Sequence, residues 1–305
     1  MLKMNSNLSS YINFSLANDS TECQRLFHGR GHTYEGLEHI NIDWLPPVVL
    51  ITSYRESSEQ WLQDVTRQIL DNMPACQSVQ VQHRNLPLAP FEVLSGKKIT
   101  ELEVIEHGLK YHVELGRWQN IGIFLDMSNG RRWVMDNAQG KKILNLFSFT
   151  CPFSVAALAG GASHVFNVDN NSGVLTRGRE NHRLNNIDMR SVSFDKIDIF
   201  KSFGRLKKHG PYDLMISDPP SFQQGSVNIK RDYSKIVRRI PLLIQPGGKI
   251  MLCLNSTELT EGFLYDLINE ECPDCQFVEA IKPPAVFKEA VQGKGLKVLV
   301  FEYQP

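Results

Sequence analysis

Apolar and polar positions follow two different rhythms along this chain, and the change falls near Lys141. The first ~40 residues are polar, rich in Ser, Asn, Gly and His, and carry no periodicity, so they read as loops or a loosely held arm. WLPPVVLITSY (Trp44 to Tyr54) predicts a strand led in by a Pro-Pro pair. In ESSEQWLQDVTRQILDNM the residues Trp61, Leu62, Val65, Ile69 and Leu70 have helical spacing, and Pro74 ends the helix. ELEVIEHGLKYHVEL carries two alternating runs around His107-Gly108, a hairpin signal. A third strand is expected from Ile121 to Asp126. These elements divide the N-terminal part into an arm over residues 1–45 and a small α+β domain with a hairpin over residues 46–126.

From Lys141 short apolar runs alternate with helical patterns. KKILNLF, HVFNVD, SVSFDKIDIF, PYDLMISD and GGKIMLCLN read as strands. Phe153 to Ala159, SGVLTRGRENHRLNN and a basic amphipathic stretch from Lys230 to Leu243 read as helices between them. Strand alternating with helix five times over predicts an α/β fold over residues 127–305, a doubly wound parallel sheet with helices on both faces.

Composition narrows the class without naming it. The 305 residues hold 33 basic and 33 acidic side chains, which excludes a polybasic coat protein or an acidic solvating tail. Local basic patches remain compatible with a nucleic-acid partner. No run of ~18 apolar residues occurs, so no membrane span is expected. Six scattered cysteines read as reduced thiols of a cytoplasmic protein. Cys272 and Cys275 have CxxC spacing, but half a tetrahedral site with no second pair predicts a loop rather than a metal.

In such sheets ligands bind at the carboxyl ends of the strands, near the point where strand order reverses. Those ends read LFSFTCPFS, Asp169, Asp198, and Asp218-Pro219-Pro220-Ser221-Phe222. Asp169 closes the second strand, where a carboxylate accepts both hydroxyl hydrogens of a ribose. The two prolines after Asp218 stiffen the next loop and withhold two donors. That loop sets a carboxylate near an aromatic face, a combination suited to a planar nitrogenous base. Neither GxGxxG nor GxxxxGK[ST] occurs, so a pyrophosphate-bearing ligand loses its main support. A nucleoside cofactor without pyrophosphate, such as S-adenosyl-L-methionine, fits better.

Several short motifs appear in a set order: IFLDM at Ile123 to Met127, then KKILNLFSFT, FSVAAL, GGASHVFNVD, ENHRLNN, DPPSF, KRDY and GLKVLVF. In these the chain, from about Ile105 onward, resembles the class I S-adenosylmethionine-dependent 23S rRNA methyltransferases of the RlmI and RlmK (RlmKL C-terminal half) group. The resemblance implies a Rossmann-like methyltransferase sheet, S-adenosyl-L-methionine as cofactor, and RNA as partner. It assigns the ribose to Asp169, with Asn170 beside it, and the adenine to Asp198 and Ile199. The turn from Phe147 to Thr150, with Asn145 on the strand before it, would pass under the methionine part. Asp126 and Arg131 match residues that reach towards the cofactor from the preceding hairpin. Asp218, Pro219, Pro220 and Phe222 would face the acceptor base. No PUA-like module is evident in the first 45 residues, so the RlmK-like arrangement is the nearer one.

Cytosine C5 is a poor nucleophile, and its methylation needs a thiol to add at C6 first. In the RlmI pattern that thiol follows the fifth strand; here Asn255 takes the position, with Cys253 two residues earlier as a buried strand cysteine. A ring nitrogen such as guanine N7 needs placement alone. Nitrogen methylation is therefore favoured, with Asn255 among the catalytic residues and C5 methylation through Cys253 as the alternative.

Some positions depart from the family pattern. Thr150-Cys151-Pro152 replaces the usual Thr-Gly-Gly turn, Ser128 an Arg, and Asn120-Ile121 a Lys-Thr pair. A catalytically weakened or silent RNA-binding relative therefore stands as a competing reading. Two basic segments offer an RNA surface: Arg177, Arg179, Arg183 and Arg190, and Lys230, Arg231, Lys235, Arg238 and Arg239. Histidines 28, 32, 39 and 83 lack ligand spacing.

Overall fold

The computed structural model describes residues 10–12, 14, 20–116, 119–220, 222–223 and 227–305, with backbone alone at 222, 223 and 227. The chain forms two units, one of residues 1–126 with 284–292, the other of residues 127–283 with 293–305.

In the first unit, β1 (Gln24–His28), β2 (Ile40–Leu45), β3 (Val48–Ser53), β4 (Ser78–His83) and β5 (Phe91–Gly96) form one sheet in that order. Helix α1 (Glu59–Asn72) joins the parallel pair β3 and β4. The Ser58 hydroxyl caps α1 by accepting from the Trp61 N–H. Trp61, Leu62, Val65 and Ile69 sit in one core with Ile42, Ile51 and Val81 of the sheet. A separate hairpin pairs β6 (Glu101–Glu106) with β7 (Leu109–Glu114).

Two expectations fail here, each for a physical reason. The first ~40 residues are not all loop, because β1 falls within them, and β2, starting at Ile40, fills the end of the arm expected over residues 1–45. All six residues of β2 are buried, Asn41 and Asp43 included, although Ile40 to Trp44 alternate apolar and polar as a half-exposed strand would. Asp43 is tolerated inside because Arg25 of β1 donates to its carboxylate. A bulge between Arg25 and Phe27 hides the period of β1. The strand expected after the Pro-Pro pair forms as β3, and Pro46 and Pro47 themselves make the turn from β2, where Leu45 faces Val48. Residues 121–126 form no strand, although Ile123 and Leu125 are buried with period two. They run into a 3-10 turn, Leu125–Met127, and then helix α2 (Ser128–Asn137) of the second unit.

The second unit is built on β8 (Lys142–Leu146), β9 (His164–Asp169), β10 (Val192–Lys196), β11 (Tyr212–Ser217), β14 (Ile244–Asn255), β15 (Cys275–Ala280) and β16 (Leu296–Tyr303). The short pair β12 (Phe222–Gln223) and β13 (Val227–Asn228) lies between β11 and β14 in the chain. The sheet order is β10-β9-β8-β11-β14-β16-β15. The five strands from β10 to β14 are parallel, and β16 runs antiparallel to both of its neighbours.

Its helices are α3 (Pro152–Ala159), α4 (Ser172–Leu184), α5 (Phe203–His209), α6 (Ile229–Val237), α7 (Ile240–Leu243) and α8 (Glu261–Glu271). The sheet is apolar on both faces, as a doubly wound fold requires. Along β14, Ile250, Leu252 and Leu254 join one core with Tyr233, Ile236 and Leu264, while Met251 and Cys253 join the other with Val134 and Phe153. The single helix expected from Lys230 to Leu243 is broken after Val237, because Pro241 begins a new short helix and cannot continue the old one.

Candidate functional site

Strand β8 has β9 on one side and β11 on the other, so the chain leaves the sheet centre in opposite directions after it. The crevice this creates lies beyond the carboxyl ends of β8 and β11. Registers bring those ends level: Leu146 faces both Ser217 and Val168, and Ser217 faces Leu252. Asp169 ends β9, Asp198 follows β10, Asp218 follows β11 and Asn255 ends β14. All of these belong to the second unit.

The turn after β8 is unusual in its backbone. Phe147, Phe149 and Cys151 all take left-handed conformations, with φ of 55°, 50° and 62°. Such a conformation costs a non-glycine residue about 1–2 kcal/mol, so the surroundings must hold it. They do so at several atoms. The Ser148 N–H donates to the Val168 carbonyl at 3.0 Å, and the Phe149 N–H donates to Asp169 Oδ2 at 3.0 Å. The Asn181 side chain donates to the Thr150 carbonyl at 2.9 Å. Pro152 then occupies the first turn of α3, where no N–H is needed.

Behind the turn lies a directional chain of buried polar side chains. His182 Nδ1 must donate to the Gly178 carbonyl (2.7 Å), so its Nε2 accepts from the Ser154 hydroxyl (2.8 Å). Ser154 Oγ accepts from the Asn167 amide (2.9 Å), and Asn167 Oδ1 accepts from the Asn145 amide (2.8 Å). Burial pulls the His182 pKa down to about 4, with the Gly178 bond working the other way. Asn181 of the ENHRLNN motif thus fixes α4 to the turn, and His182 fixes it to α3 through Ser154. Their spacing gave no sign of this, because each acts through a bond remote in sequence.

Asp169 is arranged as an acceptor. Oδ2 takes the Phe149 N–H and Oδ1 takes the Asn171 N–H at 2.9 Å, and each carboxylate oxygen has capacity for a second donor. Burial raises its pKa above the usual carboxylate value, partly offset by the backbone N–H groups of Asn171, Phe149 and Asn170. Asn170 itself is exposed. Asp198 caps the 3-10 turn Ile199–Lys201 by accepting the Phe200 N–H at 2.9 Å, with Lys201 Nζ 3.5 Å away. The Ile199 side chain is in the core, while the Phe200 ring stands 6.2 Å from that of Phe147. At the end of β11 the Ser217 hydroxyl is buried without a hydrogen-bond partner. A carboxylate with open acceptor capacity, an aromatic pair and an unused hydroxyl suit a nucleoside with a polar tail, and the donor set fits S-adenosylmethionine.

The remaining expected residues fall as follows. Thr150 is buried in the turn, and Asn145 lies inside β8 as the end of the polar chain. Arg131 is buried on α2. Asp126 ends the first unit's main stretch. Asp218 and Pro220 are half-buried and Pro219 is buried. The Phe222 side chain and all of Ser221 lie outside the described residues. Asn255 is exposed, whereas Cys253 is fully buried in the core.

Most cations of the two basic segments have partners within their own unit. Arg231 and Lys235 both bind the buried Asp232, at 2.8 Å each, and Arg238 binds Glu271. Lys230 meets Glu258, Arg177 meets Glu180 and Arg190 meets Asp188. Arg179 and Arg239 lie over the rings of Phe194 and Phe203. The units still differ in charge: the second holds twenty-two Lys and Arg against seventeen Asp and Glu, the first eleven against sixteen. Among the described residues there is no group of three or more metal-ligating side chains, and no helix long and apolar enough to cross a membrane. Cys272 follows α8 and Cys275 opens β15, both buried, with sulfurs 3.5 Å apart.

A family profile described as S-adenosylmethionine-dependent methyltransferase matches residues 24–302. A ribosomal RNA large subunit methyltransferase I of Erwinia tasmaniensis is 33% identical over 192 residues, covering 60% of this chain and 48% of the relative. Its counterpart in Serratia proteamaculans is 31% identical over 208 residues, 66% of this chain and 52% of the relative. The chain therefore spans about half the length of these curated relatives. A solved methyltransferase complexed with SAH superposes with a TM-score of 0.85 at 26% identity, covering 97% of this chain and 79% of its own.

Proposed function

Because the chain belongs to the S-adenosylmethionine-dependent methyltransferase family, we propose that it transfers the methyl group of S-adenosyl-L-methionine to a base of large-subunit ribosomal RNA in the cytoplasm. The observation that carries this reading is the row of acids at the carboxyl ends of β9, β10 and β11, on either side of the switch point. S-adenosylmethionine supplies an electrophilic methyl group when bound. Asp169 holds the ribose hydroxyls, and the turn of residues 147–150 supports the amino-acid part. Asp198 and the backbone of Ile199 would meet the adenine edge, on the side of the sheet where the Phe147 and Phe200 rings lie together. Asn145 acts from behind, by holding β8 to β9 through Asn167, while Arg131 reaches towards the cofactor from α2 and Asn170 borders it. Asp218 and the rigid Pro219-Pro220 step orient the acceptor base.

A ring nitrogen, guanine N7-like, is the favoured acceptor. The support is Asn255 at the exposed end of β14 and the complete burial of Cys253, since C5 methylation of cytosine requires an accessible thiol. The relatives named as ribosomal RNA large subunit methyltransferases support RNA as the partner. So does the excess of cations in the unit that carries the site. Two measurements test the reading. Calorimetry with S-adenosylmethionine should show binding, and its absence at millimolar cofactor would leave a silent RNA-binding protein. Mass spectrometry of rRNA nucleosides from cells with and without the gene should show one methylated base lost.

A further inference from the structure

Tyr233 belongs to no part of the site described above, yet its hydroxyl touches both strands that frame the acceptor side. It lies on α6, its side chain fully buried. The hydroxyl stands 3.1 Å from the Ser217 carbonyl oxygen and 3.0 Å from that of Cys253. A phenol has one hydrogen, so the two carbonyls share it in a three-centre bond. Ser217 is the residue before Asp218, and Cys253 comes two before Asn255. The bond therefore ties the last residue of β11 to β14 two residues before that strand ends.

We propose that Tyr233 is a positioning residue for methyl transfer, pinning the Asp218 loop against the end of β14 so that the acceptor base meets the methyl group in line. The inference rests on the methyltransferase reading and adds to it a residue outside the crevice. Three further observations agree with it. Burial, the Cys253 thiol and the Asp218 carboxylate all push the Tyr233 pKa up, so the hydroxyl remains a donor at any working pH. The helix that carries Tyr233 is itself anchored one residue earlier, by Asp232 accepting from the Asn228 N–H, Arg231 and Lys235. A ring needed only to fill the core would not require a hydroxyl there, since an unpaired buried hydroxyl is costly.

The test compares Y233F and L264A in the full-length protein. Phe keeps the ring and removes the bond, whereas L264A opens a cavity in the same core on α8 without touching either carbonyl. Y233F should lower kcat ~10- to 100-fold, as small misplacements of reacting groups do, while the calorimetric Kd for S-adenosylmethionine stays within about twofold. Amide exchange should quicken in peptides spanning residues 212–218 and 250–256. L264A should lose thermal stability at least as much, yet keep kcat within about threefold. The proposal fails if Y233F keeps wild-type kcat, if its exchange is unchanged, or if L264A loses kcat equally. A wild-type protein that transfers no methyl group to rRNA overturns the functional reading instead, and the exchange measurement reports the pinning separately.

Discussion

A β-carbon on Gly178 would stand 2.6 Å from the Cys151 sulfur, closer than such atoms approach. The two residues are a fitted pair. Cys151 holds a left-handed position that favours glycine, and its side chain turns into the space that Gly178 leaves on α4. It is wholly buried there, with its thiol pKa pushed up to about 12 by burial, so it adds no bulk to the surface of the crevice. Cys151 in place of a turn glycine is thus absorbed behind the turn rather than in front of it.

The pair predicts a double-mutant cycle. Gly178→Ala should destabilise the protein by ~1–3 kcal/mol through overpacking. Adding Cys151→Gly should recover most of that loss, because it removes the sulfur and relaxes the left-handed residue at once. Thermal unfolding of the four proteins checks this. Simple additivity of the two substitutions would show that the residues are not coupled.

The ribose-holding role proposed for Asp169 gives the cofactor site a pH dependence of defined sign. In that role the ribose hydroxyls donate to the carboxylate, so the ionised form would be the one that binds, and burial has raised its pKa. Affinity for S-adenosylmethionine should be full above that raised pKa and fall as pH drops through it. Asp169→Asn should weaken binding at neutral pH by ~10- to 100-fold, the worth of hydrogen bonds to a charged group. Its affinity should then be nearly flat across the acid range. Calorimetric titrations of both proteins between pH 4 and pH 7 measure the difference.

The second unit was legible in the sequence because its strands are short, apolar on both faces and separated by clear turn residues. Their ends could be read directly as a list of site candidates, from Asp169 to Asp218. The first unit was less legible, because β2 buries the polar as well as the apolar positions of its alternating run and the Arg25 partner of Asp43 lies on another strand. The polar chain from Asn145 to His182 escaped for the same reason: its bonds join four elements far apart in sequence. The neutral charge total likewise concealed a basic unit and an acidic one.

His182 should make the protein sensitive to acid. Its pKa is about 4 when folded, against ~6.5 in an unfolded chain. The unfolded state therefore binds the extra proton first. Stability is complete above pH ~6.5 and declines as pH falls towards ~4, by up to about 3 kcal/mol from this group. A protonated ring would also lose the acceptor that Ser154 uses. His182→Gln should lower stability at pH 7 but flatten its fall between pH 6.5 and pH 4. An unchanged slope in thermal midpoint against pH would refute the assignment.

The choice between nitrogen and carbon as acceptor comes down to two side chains on one strand. Cys253 and Asn255 share a face of β14, but Cys253 faces Val298 of β16 inside the core, while Asn255 stands exposed at the end. Cys253→Ala should therefore leave methyl transfer within about threefold of wild type, at a modest cost in stability. Asn255→Ala should reduce kcat by ~10-fold or more if its amide orients the acceptor base, with cofactor affinity retained. The reverse result, activity abolished by Cys253→Ala and spared by Asn255→Ala, would require the thiol to reach the base and would favour cytosine C5. A mechanism-based trap separates the two cleanly. RNA carrying 5-fluorocytosine should form no covalent complex with the wild-type protein, because ring-nitrogen methylation passes through no thiol adduct.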